Sequence, residues 1–110
     1  MTVFAVEYVY AADSSAVRDD HRPAHRAWLA GLADEGQLLT SGPYGDGAGA
    51  LLIFKVQDET ELNELLKQDP FAVAGTLAGI RTTEWPPVNG LPAAHASWFP
   101  SRFYSGTTQP

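Results

Sequence analysis

Two residues of this 110-residue chain are polar where the local spacing calls for leucine, and together they could move a proton: His25 and Asp69. Positions 25, 28, 29 and 32 read His, Trp, Leu, Leu, the i, i+3, i+4, i+7 series of a helix's inward face. Further on, Leu62, Leu65 and Leu66 make a narrow apolar stripe, and the member seven after Leu62 is Asp69. Two helices lying side by side on a sheet can bring such residues together. A carboxylate that accepts from one ring nitrogen fixes the tautomer and leaves the other nitrogen free to take a proton, as a general base requires. The plainer reading is that His25 packs and that Asp69 caps the turn at Phe71.

Other side chains are placed to hold a substrate. Arg22 stands beside His25 at the expected helix start, where backbone donors also favour anions. Arg18 and Arg26 flank it, with Asp19, Asp20 and Asp34 near enough to read as their surface ion-pair partners. Ser41 and Tyr44 bracket a Gly42-Pro43 corner, and either hydroxyl can bond a ligand. Tyr8 shares a strand face with Phe4 and Val6, the company of a core residue, and is the strand-one candidate for the cavity wall. Trp28 is an aromatic wall.

The exclusions narrow the chemistry. With no cysteine, disulfides, thiolate metal sites and cysteine nucleophiles are ruled out. His21 and His25 have metal-ligand spacing, but Pro23 lies between them and the only other histidine, His95, is far along the chain, so no metal is expected. Ser41 lacks a nucleophile-elbow motif, and the Gly45-to-Gly49 run opens no helix and lacks the Lys-Ser/Thr of a phosphate loop. No cofactor is expected. A net charge of −6 argues against nucleic acid and acidic membrane surfaces, and no apolar run is long enough to span a bilayer. A cytoplasmic protein is expected. What remains is proton transfer, an elimination or isomerisation on a cyclic, aromatic or enolisable metabolite. The alternative is a non-catalytic ligand-binding or accessory module using the same pocket.

These residues need elements to position them. Residues 3–10 are β-branched and aromatic, a strand covered on both faces. Pro23 belongs in a first turn, so the first helix is expected over 23–35 with Gly36 as its terminating glycine, and 14–22 as a loop or short turn capped by Ser14 or Ser15. Residues 37–43 and 50–56 form a hairpin around the glycine-rich turn. Asp58 and Glu61 make a capping box for the second helix, which Pro70 ends or kinks; Phe71 to Ala74 add a turn, and residues 77–85 form a fourth strand. The order β-α-β-β-α-β is that of an α+β, ferredoxin-like fold: an antiparallel four-stranded sheet with two helices on one face. Because helices cover one face alone, a homodimer meeting sheet to sheet is expected. Residues 1–87 form this domain, and 88–110 are an aromatic, Pro/Gly-rich tail expected to pack on the domain or on the dimer mate.

The chain resembles the YCII-related family, of the dimeric α+β barrel type. The resemblance rests on Arg22-Pro-Ala-His25-Arg-Ala-Trp-Leu, Gly36-Gln-Leu-Leu-Thr-Ser-Gly42-Pro43, Gly49-Ala-Leu-Leu-Ile-Phe54 and Asp69-Pro70-Phe71, and runs from residue 3 to about 87. It implies an active site built on a His-Asp dyad, with His25 and Asp69 at the matching positions. Some members are linked to dehydrochlorination of chlorinated hydroxyhydroquinones, which makes the resemblance specific for fold and broad for substrate.

Overall fold

A computed structural model of the chain describes residues 1–88. The expectation for the tail over 88–110 falls, but for Val88, outside the described residues. The order is β1 (Thr2–Tyr10), α1 (Ser15–Asp34), β2 (Leu38–Pro43), β3 (Gly49–Val56), α2 (Glu59–Leu66), α3 (Pro70–Val73) and β4 (Leu77–Glu84). The strands form one antiparallel sheet in the order β2-β3-β1-β4. This is the ferredoxin-like α+β arrangement.

The side-chain alternation of a strand decides which residues meet the helices. In β1 the inward set is Phe4, Val6 and Tyr8, and in β3 it is Leu52, Phe54 and Val56, all buried. Leu32 of α1 and Leu62 and Leu66 of α2 close over them in one core, with Trp28 and Leu29 packed against it. Each fully buried Leu or Phe contributes about 1.5–3 kcal/mol, so this single layer holds the helices on the sheet. The opposite face carries Glu7, Val9, Leu51 and Ile53, with Val9 and Leu51 exposed. Among the described residues the helices cover the inward face of β1 and β3, while on the opposite face Ile53 is buried and Val9 and Leu51 are exposed.

The first helix departs from expectation. It begins at Ser15, eight residues before Pro23, and runs unbroken through it. A proline removes one intrahelical hydrogen bond and crowds the preceding turn, but Pro23 and Asp19, four residues back, both lie on the exposed side, where a freed carbonyl costs least. His25 is therefore mid-helix, and its placement in a first turn is corrected. Gly36 (φ +80°) ends α1 as expected, with Gln37 N–H donating to Leu32 O and Gly36 N–H to Ala33 O.

The second helix is shorter than its apolar stripe. Asp58 Oδ1 accepts from Glu61 N–H at 2.9 Å, and Glu61 Oε1 accepts from Gln57 N–H at 2.7 Å, so the capping pair reaches back one residue beyond the usual box. The helix stops at Leu66. Asp69 is extended (φ −62°, ψ 124°), because a residue before proline is pushed out of the helical region, and it serves as N-cap of α3.

Candidate active site

Asp69 organises the site from beneath. It is fully buried, and each of its oxygens is used. Oδ1 accepts from Phe71 N–H at 2.9 Å, the cap of α3, and from His25 Nδ1 at 2.7 Å; Oδ2 accepts from Tyr8 Oη at 2.6 Å. A buried carboxylate is costly unless donors surround it, and here three do. Burial, and then the charge of Asp69, push the Tyr8 hydroxyl far above the ordinary tyrosine range, so it stays protonated and donates.

The Asp-Pro-Phe segment sets the imidazole in two ways at once. Asp69 bonds its Nδ1, and the Phe71 ring lies flat against it, with centroids 3.8 Å apart and planes 5° from parallel. Phe71 is itself held from behind: its carbonyl accepts from Thr76 N–H at 3.1 Å and Thr76 Oγ1 at 2.8 Å, while Gly75 (φ +75°) supplies the left-handed residue that turns the chain back. On its other side His25 faces Trp28, centroids 6.3 Å apart. With Nδ1 donating to a carboxylate, the neutral form of the ring has its lone pair on Nε2. No described residue bonds Nε2, and among the described residues the only buried side-chain nitrogen or oxygen without a partner is Trp28 Nε1. Nε2 is thus open to solvent while the His25 side chain as a whole is only 13% exposed.

That opening is a cavity of about 450 Å³, within the size range of small-molecule pockets. Arg18, Arg22, His25, Arg26 and Leu29 of α1 form one wall; Ser41, Gly42 and Pro43 of β2 and Ala50 and Leu52 of β3 form another; Tyr10 and Phe71 close it. Among the described residues no group of three or more His, Cys, Asp or Glu is arranged to hold a metal ion, and no helix is long and apolar enough to cross a membrane.

The structure sorts the sequence candidates. His25, Arg22 and Ser41 line the cavity, and Asp69 lies behind His25. Three of the candidates do not line it, for a physical reason in each case. Tyr8 is buried beneath the dyad, its hydroxyl committed to Asp69. Trp28 sits one helical turn behind His25 and packs on Phe54. Tyr44 belongs to the opposite face of the sheet, where its hydroxyl donates to Glu7 Oε2 at 2.7 Å, a bond that raises it above the usual tyrosine range. Asp69 also differs in how it arrives: it comes from the junction between α2 and α3, not from a helical stripe. Capping Phe71 and bonding His25 are not alternatives, since Oδ1 does both.

Sequence reasoning passed over Phe71 and Tyr10, and it set Arg18 down as a surface charge paired with its acidic neighbours. The signal for Phe71 was its place two residues after an Asp followed by proline, the natural seat of a capped turn. Tyr10 continues the inward series of β1. Arg18 was masked by its acidic neighbours in sequence, yet it pairs with none of them. Its Nε donates to Ser14 Oγ at 3.1 Å, and its guanidinium carbon lies 3.9 Å above the centre of the Tyr10 ring.

A family model described as the YCII-related domain matches residues 2–86. Among solved structures the chain is similar to 5-chloro-2-hydroxyhydroquinone dehydrochlorinase from Burkholderia phenoliruptrix AC1100, in complex with 2,5-dihydroxybenzoquinone. The two share 27% identity and a TM-score of 0.68, over 76% of this chain and 93% of that one. No curated protein matches the chain in sequence. With a match that spans the whole sheet and both sides of the His25 and Asp69 pair, this chain belongs to the YCII-related family.

Proposed function

We propose that the protein is a small, cofactor-independent enzyme that moves a proton on a cyclic, hydroxylated or enolisable metabolite, with His25 as acid and base and Asp69 as the group that orients it. The observation that carries this reading is the 2.7 Å bond from His25 Nδ1 to a buried carboxylate, with Nε2 left free at the cavity. Nε2 takes a proton from a ring hydroxyl or from a carbon beside a carbonyl, and the released electron pair moves into the ring. In an elimination that pair expels an anionic leaving group, and the net loss is one HX. In an isomerisation the imidazolium returns its proton to a second ring atom. Asp69 stabilises the imidazolium between the two steps.

The similar structure supports a cyclic substrate, since it is named as a dehydrochlorinase of a chlorinated hydroxyhydroquinone and holds a dihydroxybenzoquinone. Ser41 and Arg22, on the cavity wall, are the residues proposed to orient the ring. A homodimer formed through the open sheet face belongs to the same reading, supported by the exposed Val9 and Leu51 on it. So does a cytoplasmic place of work, supported by a cysteine-free chain that needs no oxidising compartment.

The test is turnover of a panel of hydroxylated and halogenated aromatics by the wild type, His25→Ala and Asp69→Asn. Asparagine keeps an oxygen to cap Phe71, so the second variant probes the chemistry rather than the turn. Each variant is expected to lose about 10²–10⁴-fold in kcat/KM. Wild-type activity in both would remove the dyad, and tight binding without turnover by the wild type would make the cavity that of an accessory module.

A further inference from the structure

We propose that the ring substrate carries a carboxylate and that Arg18 is the residue that grips it. The proposal rests on the cavity beside His25 being the substrate site, and it names the substrate class that this site takes. Of the chain's seven Lys and Arg residues, three line this one cavity, and none of its thirteen Asp and Glu residues does. In a molecule of net charge −6 this is a local reversal of sign, and it attracts an anion where the rest of the surface repels one. Arg18, Arg22 and Arg26 follow at intervals of four along α1, a spacing at which like charges destabilise a helix. An anion bound among them relieves that repulsion.

The three arginines differ in what they have free. Arg22 is partly neutralised by an ion pair with Asp19, and Arg26 is exposed. Arg18 is half-buried and pairs with no described carboxylate, but it is held fast. Its Nε donates to Ser14 Oγ, whose own hydroxyl donates to Ala11 O at 2.7 Å, and its face lies on the Tyr10 ring. With Nε and one face engaged, the edge that remains is the pair of Nη groups. That two-pronged, planar donor matches the two coplanar oxygens of a carboxylate. Tyr10 in turn meets Phe71 edge to face, centroids 6.2 Å apart, and Phe71 stacks on His25. Arg18 and His25 are therefore spaced by two rigid rings, with apolar Leu29, Ala50 and Leu52 on the cavity wall for the substrate ring.

A matched pair of probes isolates the carboxylate: 2,5-dihydroxybenzoate and 1,4-dihydroxybenzene, titrated calorimetrically under argon. The wild type is expected to bind the carboxylate about tenfold or more tightly, as a hydrogen-bonded charge pair supplies. The preference shrinks as salt is raised. Arg18→Gln is expected to abolish it and Arg18→Lys to keep only part of it, each variant being checked for a native far-ultraviolet spectrum. Equal wild-type affinity for the two probes, a preference untouched in Arg18→Gln, or tighter binding of phenyl phosphate than of 2,5-dihydroxybenzoate would overturn the proposal. A carboxylate preference in a protein that turns nothing over would instead overturn the proton-transfer reading and leave this one standing.

Discussion

Tyr8 illustrates how a residue that lines no part of the cavity can fix the geometry of one that does. Its hydroxyl engages the second oxygen of Asp69, so both oxygens of the buried carboxylate are bonded within the protein and the group stays fixed toward His25. Because burial and the Asp69 charge hold Tyr8 protonated in the folded protein, its contribution to stability is complete below the unfolded value near pH 10 and is lost as pH rises through the raised folded value. Tyr8→Phe is expected to cost about 1.5–3 kcal/mol at neutral pH, since it strands one side of a buried charge. The gap from wild type should narrow by about 1.4 kcal/mol per pH unit above about pH 10, as read by urea unfolding at pH 7, 10 and 11. A gap that stays constant with pH would show that the hydroxyl ionises equally in both states. Alternation along β1 is enough to place Tyr8 on the inward face, but its partner is 61 positions away and no local pattern names it. His25 and Asp69 were legible for the opposite reason: each interrupts an apolar series with a group that burial penalises unless it is paired.

At the scale of elements, the α1 boundary is where local rules and tertiary structure part. Proline at a helix start is a sound propensity argument, yet burial of Leu32 and the packing of Trp28 and Leu29 hold one continuous helix from Ser15 to Asp34 and outweigh the defect. Pro23→Ala restores the missing hydrogen bond at an exposed site. It is expected to raise stability by about 2 kcal/mol, the helical cost of proline less the unfolded-chain entropy that it removes. Denaturant unfolding at pH 7 checks this, and a destabilised variant would mean that the proline contributes more to the folded helix than the hydrogen bond it removes. The end of α2 shows the complementary case. The stripe through Leu62 and Leu66 points to Asp69 in the right direction, but Pro70 takes that residue off the helix and makes it a cap, and the cap is what aims it. The hairpin, the capping pair at Asp58 and the terminating Gly36 are local features and were readable as such. The seat of Arg18 depends on how the turn from β1 to α1 sets the Tyr10 ring beneath its guanidinium, and so was not.

For the molecule as a whole, the two faces of the sheet divide the work. The helix-side face carries the cavity, and the open face carries exposed apolar groups with the Tyr44 to Glu7 bond among them. If a second copy covers that face, light scattering should give a dimer for the wild type and a monomer for Leu51→Glu, because a charge in the middle of an apolar contact finds no partner. A monomeric wild type at micromolar concentration would remove the sheet-to-sheet dimer. The Asp69 oxygen shared between Phe71 and His25 has a consequence for how such a protein changes over time. Functional residues are commonly liabilities, and replacing them gains stability at the expense of activity. Here one atom both starts a turn of the fold and aims the imidazole, so any change at this position that removes the oxygen loosens the framework as well as the hold on His25. A relative without this reaction is expected to keep a capping side chain here all the same, so an aspartate at this position marks a common architecture before it marks a common activity.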